Sequence, residues 1–304
     1  MITKNADKAL LASREGAPFV LFNGSCLDLI EAMDDHYLDL TLTSPPYFMG
    51  KSYDTSYKVD DFVKDHSRIA PEIARVTKID GSIAWQVGHH VKGGVCVPLD
   101  FLAYSAFNQV PGIKLRNRII WSFGHGVHSA RRFSGRHESV LWFTQSERYF
   151  FDLDAVRVPQ KYRGKKYYKG PNKGQWSSNP LGKNPGDVWE IPNVKANHVE
   201  KTDHPCQFPI ALAQRLIRAL SPAAGVIFDP FSGSGSAGLA AVIEGRRFIG
   251  AELSGAFCQT AERRFRQWEE GKLGFRPLEK PIYEPNPRST VARDPFIVEE
   301  EIKL

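Results

Sequence analysis

Cysteine is scarce in this sequence of 304 residues: Cys26, Cys96, Cys206 and Cys258 stand far apart, with no C-x-x-C pair among them. A zinc site or a disulfide framework therefore has no support, and four buried reduced thiols are expected. Long apolar runs are missing too; none approaches the ~20 residues that a membrane span needs. Residues 1–8 carry an acid, Asp7, and lack an apolar signal core, so a cytoplasmic location is expected. His89-His90 and the pair His125 and His128 have no carboxylate or cysteine at ligand spacing, so no bound metal is expected. There is no internal repeat.

What is present is ample for a folded core. Hydrophobic residues make up 42% of the chain, whose length suits one large α/β domain with an insertion, or two small domains. The net charge of +6, from 40 basic and 34 acidic residues, says little until it is mapped. Between residues 155 and 186 stand Arg157, Lys161, Arg163, Lys165, Lys166, Lys169, Lys173 and Lys183, with no acid. Taking those eight charges away leaves the rest of the chain at −2. The positive charge is local, as on a surface that meets a phosphate backbone.

Hydrophobic periodicity predicts strands at residues 19–22, 38–43, 82–87, 118–122, 139–144, 226–228 and 247–251. It predicts helices at 27–33, 60–77, 98–107, 209–220, 235–244 and 256–268. Strands alternating with helices imply a doubly wound, mostly parallel sheet covered on both faces, with an antiparallel strand at its edge. Residues 158–185, rich in Gly, Pro, Lys and Tyr, read as an insertion, and 273–304 as a tail over the surface. Trp85 and Phe101 are expected in the core.

Two segments carry chemistry. The first runs Asp229-Pro230-Phe231-Ser232-Gly233-Ser234-Gly235-Ser236, after a strand and into a helix. Its glycines let the backbone approach a ligand, and about 20 residues on, the next strand ends at Glu252, an acid suited to both ribose hydroxyls of an adenosine-type cofactor. A dinucleotide loop wants a third glycine and no acid where Asp229 stands, since a pyrophosphate would be repelled; a cationic methionyl group would not. No Gly-Lys-Ser/Thr closes this turn, so it is no P-loop. A structural Gly-rich turn is the plain alternative.

The second is Ser44-Pro45-Pro46-Tyr47, which stops a strand because two prolines cannot continue a ladder. The prolines leave rigid carbonyls to accept hydrogen bonds, Ser44 adds a side-chain oxygen, and Tyr47 offers a flat face for a base. An exocyclic amine is a poor nucleophile because its lone pair is delocalised into the ring. Acceptors on its N–H bonds push it toward a tetrahedral, nucleophilic nitrogen. Alone, this could equally be a Pro-rich turn.

Together the two segments resemble the amino-methyltransferases of DNA. The order, catalytic turn first and cofactor loop last, is that of the permuted β group. The resemblance spans roughly residues 18 to 268 and takes in two further segments. Residues 118–121 and 132–138, with Arg132 and Arg136, resemble the part beside the target-base pocket. His204-Pro205-Cys206-Gln207-Phe208-Pro209 is similar to the entry to the helix before the cofactor loop. Asn23-Gly24-Ser25 stands where many members have Gly-Asp, so that acidic contact is missing or taken by Asp28; Ser236 replaces the usual threonine.

The resemblance implies S-adenosyl-L-methionine bound by Asp28, His204, Pro205, Gln207, Asp229, Pro230, Phe231, Ser232, Gly233, Gly235, Ser236 and Glu252. It implies catalysis at Ser44, Pro45, Pro46 and Tyr47 on a base flipped from double-stranded DNA. Residues 1–150 would be the catalytic half, 151–200 the target recognition insert, 201–270 the cofactor half and 271–304 the tail. Arg132, Arg136, Lys161, Arg163, Lys165, Lys166, Lys169 and Lys173 would meet DNA, with Tyr162, Tyr167, Tyr168 and Trp176 interleaved for stacking. Asp54, Asp60 and Asp61 would lie in a mobile loop over the flipped base. A cognate restriction endonuclease is a possible functional partner, and a monomer or homodimer is expected, without a membrane. Ser at the first catalytic position mostly accompanies cytosine N4 in the family, Asp adenine N6; adenine stays open. More distant readings are a nicotinamide-dependent oxidoreductase, an RNA or protein methyltransferase of the same fold, and a DNA-binding protein without catalysis.

Overall fold

Alternating residues of the central strands enter two separate cores, which is what a sheet covered on both faces demands. Leu40, Leu42, Ala84, Val140 and Trp142 pack on one side; Ile83, Trp85, Leu141 and Phe143 pack on the other. The computed structural model describes residues 1–46, 58–126, 128–162, 164–177 and 179–282. Its strands are Ile2–Thr3 (β1), Phe19–Asn23 (β2), Leu38–Thr43 (β3), Thr77–Val87 (β4), His89–Lys92 (β5), Val95–Pro98 (β6), Lys114–Ser122 (β7), His137–Thr144 (β8), Val188–Glu190 (β9), Val226–Asp229 (β10) and Arg247–Glu252 (β11). The helices are Ala6–Arg14 (α1), Cys26–Glu31 (α2), Val59–Val76 (α3), Leu99–Asn108 (α4), Ile210–Leu220 (α5), Ser236–Ile243 (α6) and Gly255–Glu269 (α7).

Nine strands form one sheet in the order β1-β2-β11-β10-β3-β4-β8-β7-β9, and β5 and β6 form a small hairpin apart. Every neighbouring pair in the large sheet is parallel except those made by β8. The reversed strand is thus interior, not at the edge as expected. The cause is that β8 turns back to pair between β4 and β7, so β7 lies outside it, and Val188–Glu190, within the stretch read as insert, pairs with β7 and becomes the edge. The N-terminal α1 was not anticipated either; the Asn5 side chain caps it by accepting from the backbone N–H of Lys8 at 2.8 Å.

Three placements differ from expectation. Of the four cysteines only Cys258 is buried; Cys26 and Cys206 are half-buried, and Cys96 is exposed because its strand β6 belongs to the hairpin outside the large sheet. Phe101 is mostly exposed, because Leu99, Ala103, Ala106 and Phe107 form the inner stripe of α4 and position 101 falls outside it. The Arg118 guanidinium lies 5.9 Å over its ring instead. Asp60 and Asp61 sit in the first turn of α3, not in a loop; Asp61 accepts from the backbone N–H of Lys58 at 2.8 Å, an acid at the positive end of a helix. Asp54 lies outside the described residues. Among the described residues no helix is long and apolar enough to cross a membrane.

Helix α6 approaches the sheet closely because Gly238 has no side chain. A Cβ there would meet the Phe19 ring at 2.5 Å and the Phe248 ring at 2.7 Å. Gly238→Ala should therefore destabilise the fold by about 1–3 kcal/mol through overpacking, despite the better helix propensity of alanine. Urea denaturation measures this, and an unchanged midpoint would mean that the two rings can move aside.

Candidate active site

Four strand ends stand side by side in the sheet: β2, β11, β10 and β3. Each is followed by a turn at the carboxyl edge, where ligands of open α/β sheets bind. This adjacency brings together segments distant in sequence around a cavity of about 510 Å³. Ser44, Pro45 and Pro46 from the end of β3 line one side. Pro230, Phe231, Ser232, Gly233 and Ser236 from the β10 turn, with Glu252 from β11, line the other. His204 and Gln207 complete the wall from the segment before α5. Tyr47 lies outside the described residues.

The Glu252 carboxylate is held by the backbone. Its Oε2 accepts from the N–H of Gly233 at 2.8 Å and its Oε1 from the N–H of Ser254 at 2.8 Å. Burial pushes its pKa up, and these backbone hydrogen bonds pull it back. A carboxylate has about four lone-pair sites, so each oxygen keeps acceptor capacity toward the cavity. Gly233 and Gly235 are both left-handed, with φ of +51° and +78°, as glycine alone readily allows. A Cβ at Gly233 would meet the His204 ring at 2.8 Å, and one at Gly235 the Ala261 methyl at 2.9 Å. Gly233 thus serves the cavity wall, while Gly235, not itself on the wall, lets the turn lie against α7.

Asp229 sits beneath the wall, not on it. Its Oδ1 accepts from the Thr43 hydroxyl at 2.5 Å and from the backbone N–H of Phe231 at 3.0 Å. Its Oδ2 is buried with no donor among the described residues, and so is the Ser232 hydroxyl. Burial pushes the Asp229 carboxyl up to about 7, against the pull of those two hydrogen bonds. A cationic ligand above it would satisfy both the charge and the lone pair.

Other candidate residues are placed differently from expectation. Asp28 is exposed on the first turn of α2 and does not line the cavity; Gly24, Ser25, Cys26 and Leu27 do. The reason is helical geometry, since Leu29 and Ile30 beside it turn into the core. Pro205 is also absent from the wall. The Gln207 amide is largely committed to its own loop: its Oε1 accepts from the Thr202 hydroxyl at 2.8 Å and its Nε2 donates to the Glu200 carbonyl at 2.8 Å.

Several wall residues had no motif to announce them. Asp65, His66, Arg68 and Ile69 of α3 line the cavity. His66 accepts from the Trp85 indole N–H at 3.0 Å on Nε2 and donates to the Phe62 carbonyl at 2.8 Å from Nδ1. Burial holds its pKa down to about 4, so it is a neutral wall with a fixed tautomer. Behind the turn, Arg264 is 3% exposed. Its Nη1 donates to the Ser234 carbonyl at 2.7 Å and lies 3.2 Å from the hydroxyls of Ser234 and Ser236. Burial lowers its pKa to about 10. Helical spacing from Ala261 and next to Phe265 was the signal for this inward arginine.

Next to the catalytic turn, β4 places Gln86 one residue beyond Trp85, the partner of Thr43. The Gln86 amide donates to Glu138, at the start of β8. Burial pushes the Glu138 carboxyl up to about 7. Arg132 is exposed and Arg136 half-buried in the turn between β7 and β8. Lys161, Lys165, Lys166, Lys169 and Lys173 are all exposed on a finger whose two arms meet at Val158–Lys183 and Lys166–Trp176. The Lys166 ammonium lies 4.6 Å over the Trp176 ring and the Lys161 ammonium 5.6 Å over the Tyr162 ring. Arg163 lies outside the described residues. Among the described residues no three of His, Cys, Asp and Glu gather as a metal ion would require.

The N6_N4_Mtase family model, described as DNA methylase, matches residues 38–263. Type II methyltransferase M.BglII of Bacillus subtilis is 40% identical over 242 residues, 79% of this chain and 67% of that one. Type II methyltransferase M.ScaI of Streptomyces caespitosus is 37% identical over 248 residues, 79% and 78% of the two chains. Among solved structures, PvuII DNA methyltransferase (cytosine-N4-specific) has the same fold, with a TM-score of 0.66 at 21% identity over 82% of this chain and 86% of that one. A family match across most of the chain, and a relative at this level of identity, place it in the N6/N4 DNA methylase family.

Proposed function

We propose that the chain transfers a methyl group from S-adenosylmethionine to the N4 amine of cytosine in duplex DNA. The observation that carries this reading is the shared cavity: Ser44-Pro45-Pro46 forms one wall and the Gly-rich turn with Glu252 the other. When bound, S-adenosylmethionine supplies an electrophilic methyl group on a cationic sulfur. Glu252 accepts from its ribose hydroxyls, and the buried Asp229 favours a cation above it. Ser44 and the carbonyls of the two prolines accept from the amine and hold it as a nucleophile. Tyr47 stacks on the extruded base. Residues 1–150 and 201–270 supply the two halves of this site. The region 151–200 recognises DNA, although β9 within it belongs to the sheet.

The choice of cytosine rests on Ser44. A serine hydroxyl can donate as well as accept and is neutral, which suits the more basic cytosine ring better than a carboxylate that only accepts. Duplex DNA methylated with labelled cofactor, digested to nucleosides and separated, should carry its label in N4-methylcytosine. Label confined to N6-methyladenine would overturn the base while leaving the cofactor site intact. Ser44→Ala should abolish most of the label in either case.

Cofactor binding should depend on Glu252 and on pH. Glu252→Ala removes a charge-assisted acceptor and should cost roughly 1.5–3 kcal/mol of affinity by calorimetry; wild-type affinity in a folded variant would remove this role. Asp229 is pushed up to about 7, so below pH 7 the free protein holds a proton there that a cation must expel. Affinity should therefore rise as pH goes from 6 to 8, with proton release seen at pH 6 and fading by pH 8. In Asp229→Asn that dependence should flatten; equal pH dependence in both proteins would assign it elsewhere.

Neutralising Lys165, Lys166 and Lys169 together should weaken DNA binding and flatten its salt dependence, the slope falling by about 0.9 for each phosphate no longer neutralised. Cofactor affinity should stay as it is. An unchanged salt slope would mean that these lysines face only solvent.

A further inference from the structure

The turn between β7 and β8 carries a feature that neither the cavity nor the insert explains. Phe133 is 100% exposed, and no other large hydrophobic side chain among the described residues reaches that value. A single exposed ring is common on protein surfaces, but one held wholly in water gains by burial against whatever partner comes to this turn. Its surroundings are basic. Arg131 and Arg132 precede it, Arg136 follows three residues later, and residues 123–137 contain no acid.

Topology places this ring at the catalytic edge. Strand β8 runs antiparallel to β4, which runs parallel to β3. The β7–β8 turn therefore leaves the same edge of the sheet as Ser44. Two strand steps, β3 to β4 and β4 to β8, separate their bases, about 10 Å at the usual spacing. The turn is built rather than loose at its root. Ser122 pairs with His137, and the Phe123 N–H donates to the Arg136 carbonyl at 2.9 Å. Higher up, the Ser129 N–H donates to the Ser134 hydroxyl at 3.1 Å, and Arg132 Nη1 donates to the Phe133 carbonyl at 3.0 Å.

We propose that Phe133 enters the DNA duplex beside the target base and stacks in the space that base leaves, while the flanking arginines hold the phosphates. The inference rests on the reading above, in which the base is extruded toward Ser44. Extrusion unstacks a base and leaves two apolar faces open to water. An aromatic ring about as thick as a base, mounted near the extrusion site on a basic turn, covers those faces. Apolar wedges inserted between base steps act in the same way in proteins that kink DNA. Its loss slows methylation only when the base must first be pulled from a stacked pair.

The test compares Phe133→Ala and Phe133→Trp with the wild type on two oligonucleotide duplexes. Both carry the site found by methylome sequencing of a host expressing the gene. One is fully paired; in the other the base opposite the target is abasic, so the target is already loosened. Phe133→Ala should lose roughly ten- to hundredfold in kcat/KM on the paired duplex, the range that burying a phenyl ring supports. Most of that loss should return on the abasic duplex. Phe133→Trp should stay within a few fold of wild type on both, and cofactor affinity should be equal in all three proteins. Two results overturn the proposal: full activity of Phe133→Ala on the paired duplex, or an equal loss on both duplexes. Full activity together with a changed oligomeric state would assign the ring to contacts between copies of the chain instead. A wild-type protein that labels neither duplex would overturn the reading beneath as well, which separates the two failures.

Discussion

The hydrogen bond from the Thr43 hydroxyl to Asp229, 2.5 Å long between residues 186 apart in sequence, is the point on which the site turns. Thr43 is the last residue of β3 and Asp229 the last of β10, and the two strands are neighbours. The bond is fully buried, where an ionised carboxylate gains from every donor and an unpaired one is costly. It fixes the residue immediately before Ser44 to the residue immediately before Pro230. The Ser44–Pro46 turn and the Gly-rich turn therefore cannot drift apart without exposing or orphaning Asp229. The same carboxyl keeps one oxygen with no donor among the described residues, beneath the cavity wall.

Around that bond, backbone and side chains divide the work. Glu252 takes its two hydrogen bonds from N–H groups of Gly233 and Ser254, which locks the ends of β10 and β11 to each other. Arg264 closes the back of the turn by reaching Ser234 and Ser236 from α7. A buried arginine without an ion pair among the described residues is expensive, and its lowered pKa reflects that. Its contact is concentrated in one nitrogen: Nη1 reaches the Ser234 carbonyl and both serine hydroxyls, while Nη2 is buried with no partner among the described residues. His204 then packs over Gly233 from outside, edge-on to Phe257 at 4.4 Å, so the turn is held from two sides.

Much of this was legible in the sequence, because the residues involved have narrow physical uses. Two prolines after β-branched Thr43 had to end a strand. Gly233 and Gly235 between an acid and a helix had to form a close turn. The helices α3 and α5 were legible from spacing, and all seven central strands from alternation or apolar runs. What escaped were features set by tertiary partners. The edge strand β9 has only three residues, too few for a pattern, and exists because β7 offers an unpaired edge. The α3 wall around His66 depends on where that helix packs, not on what it contains. Asp28 was assigned from its position in a motif, but one residue of helix is about 100° of rotation, enough to turn a side chain from cavity to solvent.

The same dependence on neighbours explains why chain order matters so little to the site. The Ser44–Pro46 turn precedes the Gly-rich turn by 186 residues, yet they meet because β10 enters the sheet between β11 and β3. A parallel sheet needs only that each strand find its neighbours; where the chain begins is indifferent to it. The long intervening segment can then do other work. It forms the β7–β8 turn at the catalytic edge, a basic finger, and an edge strand four steps from β3, about 19 Å away at normal strand spacing. That distance is close to the width of a DNA duplex. On the function proposed above, sheet geometry would separate the turn that acts on one base from the segment that grips the backbone around it.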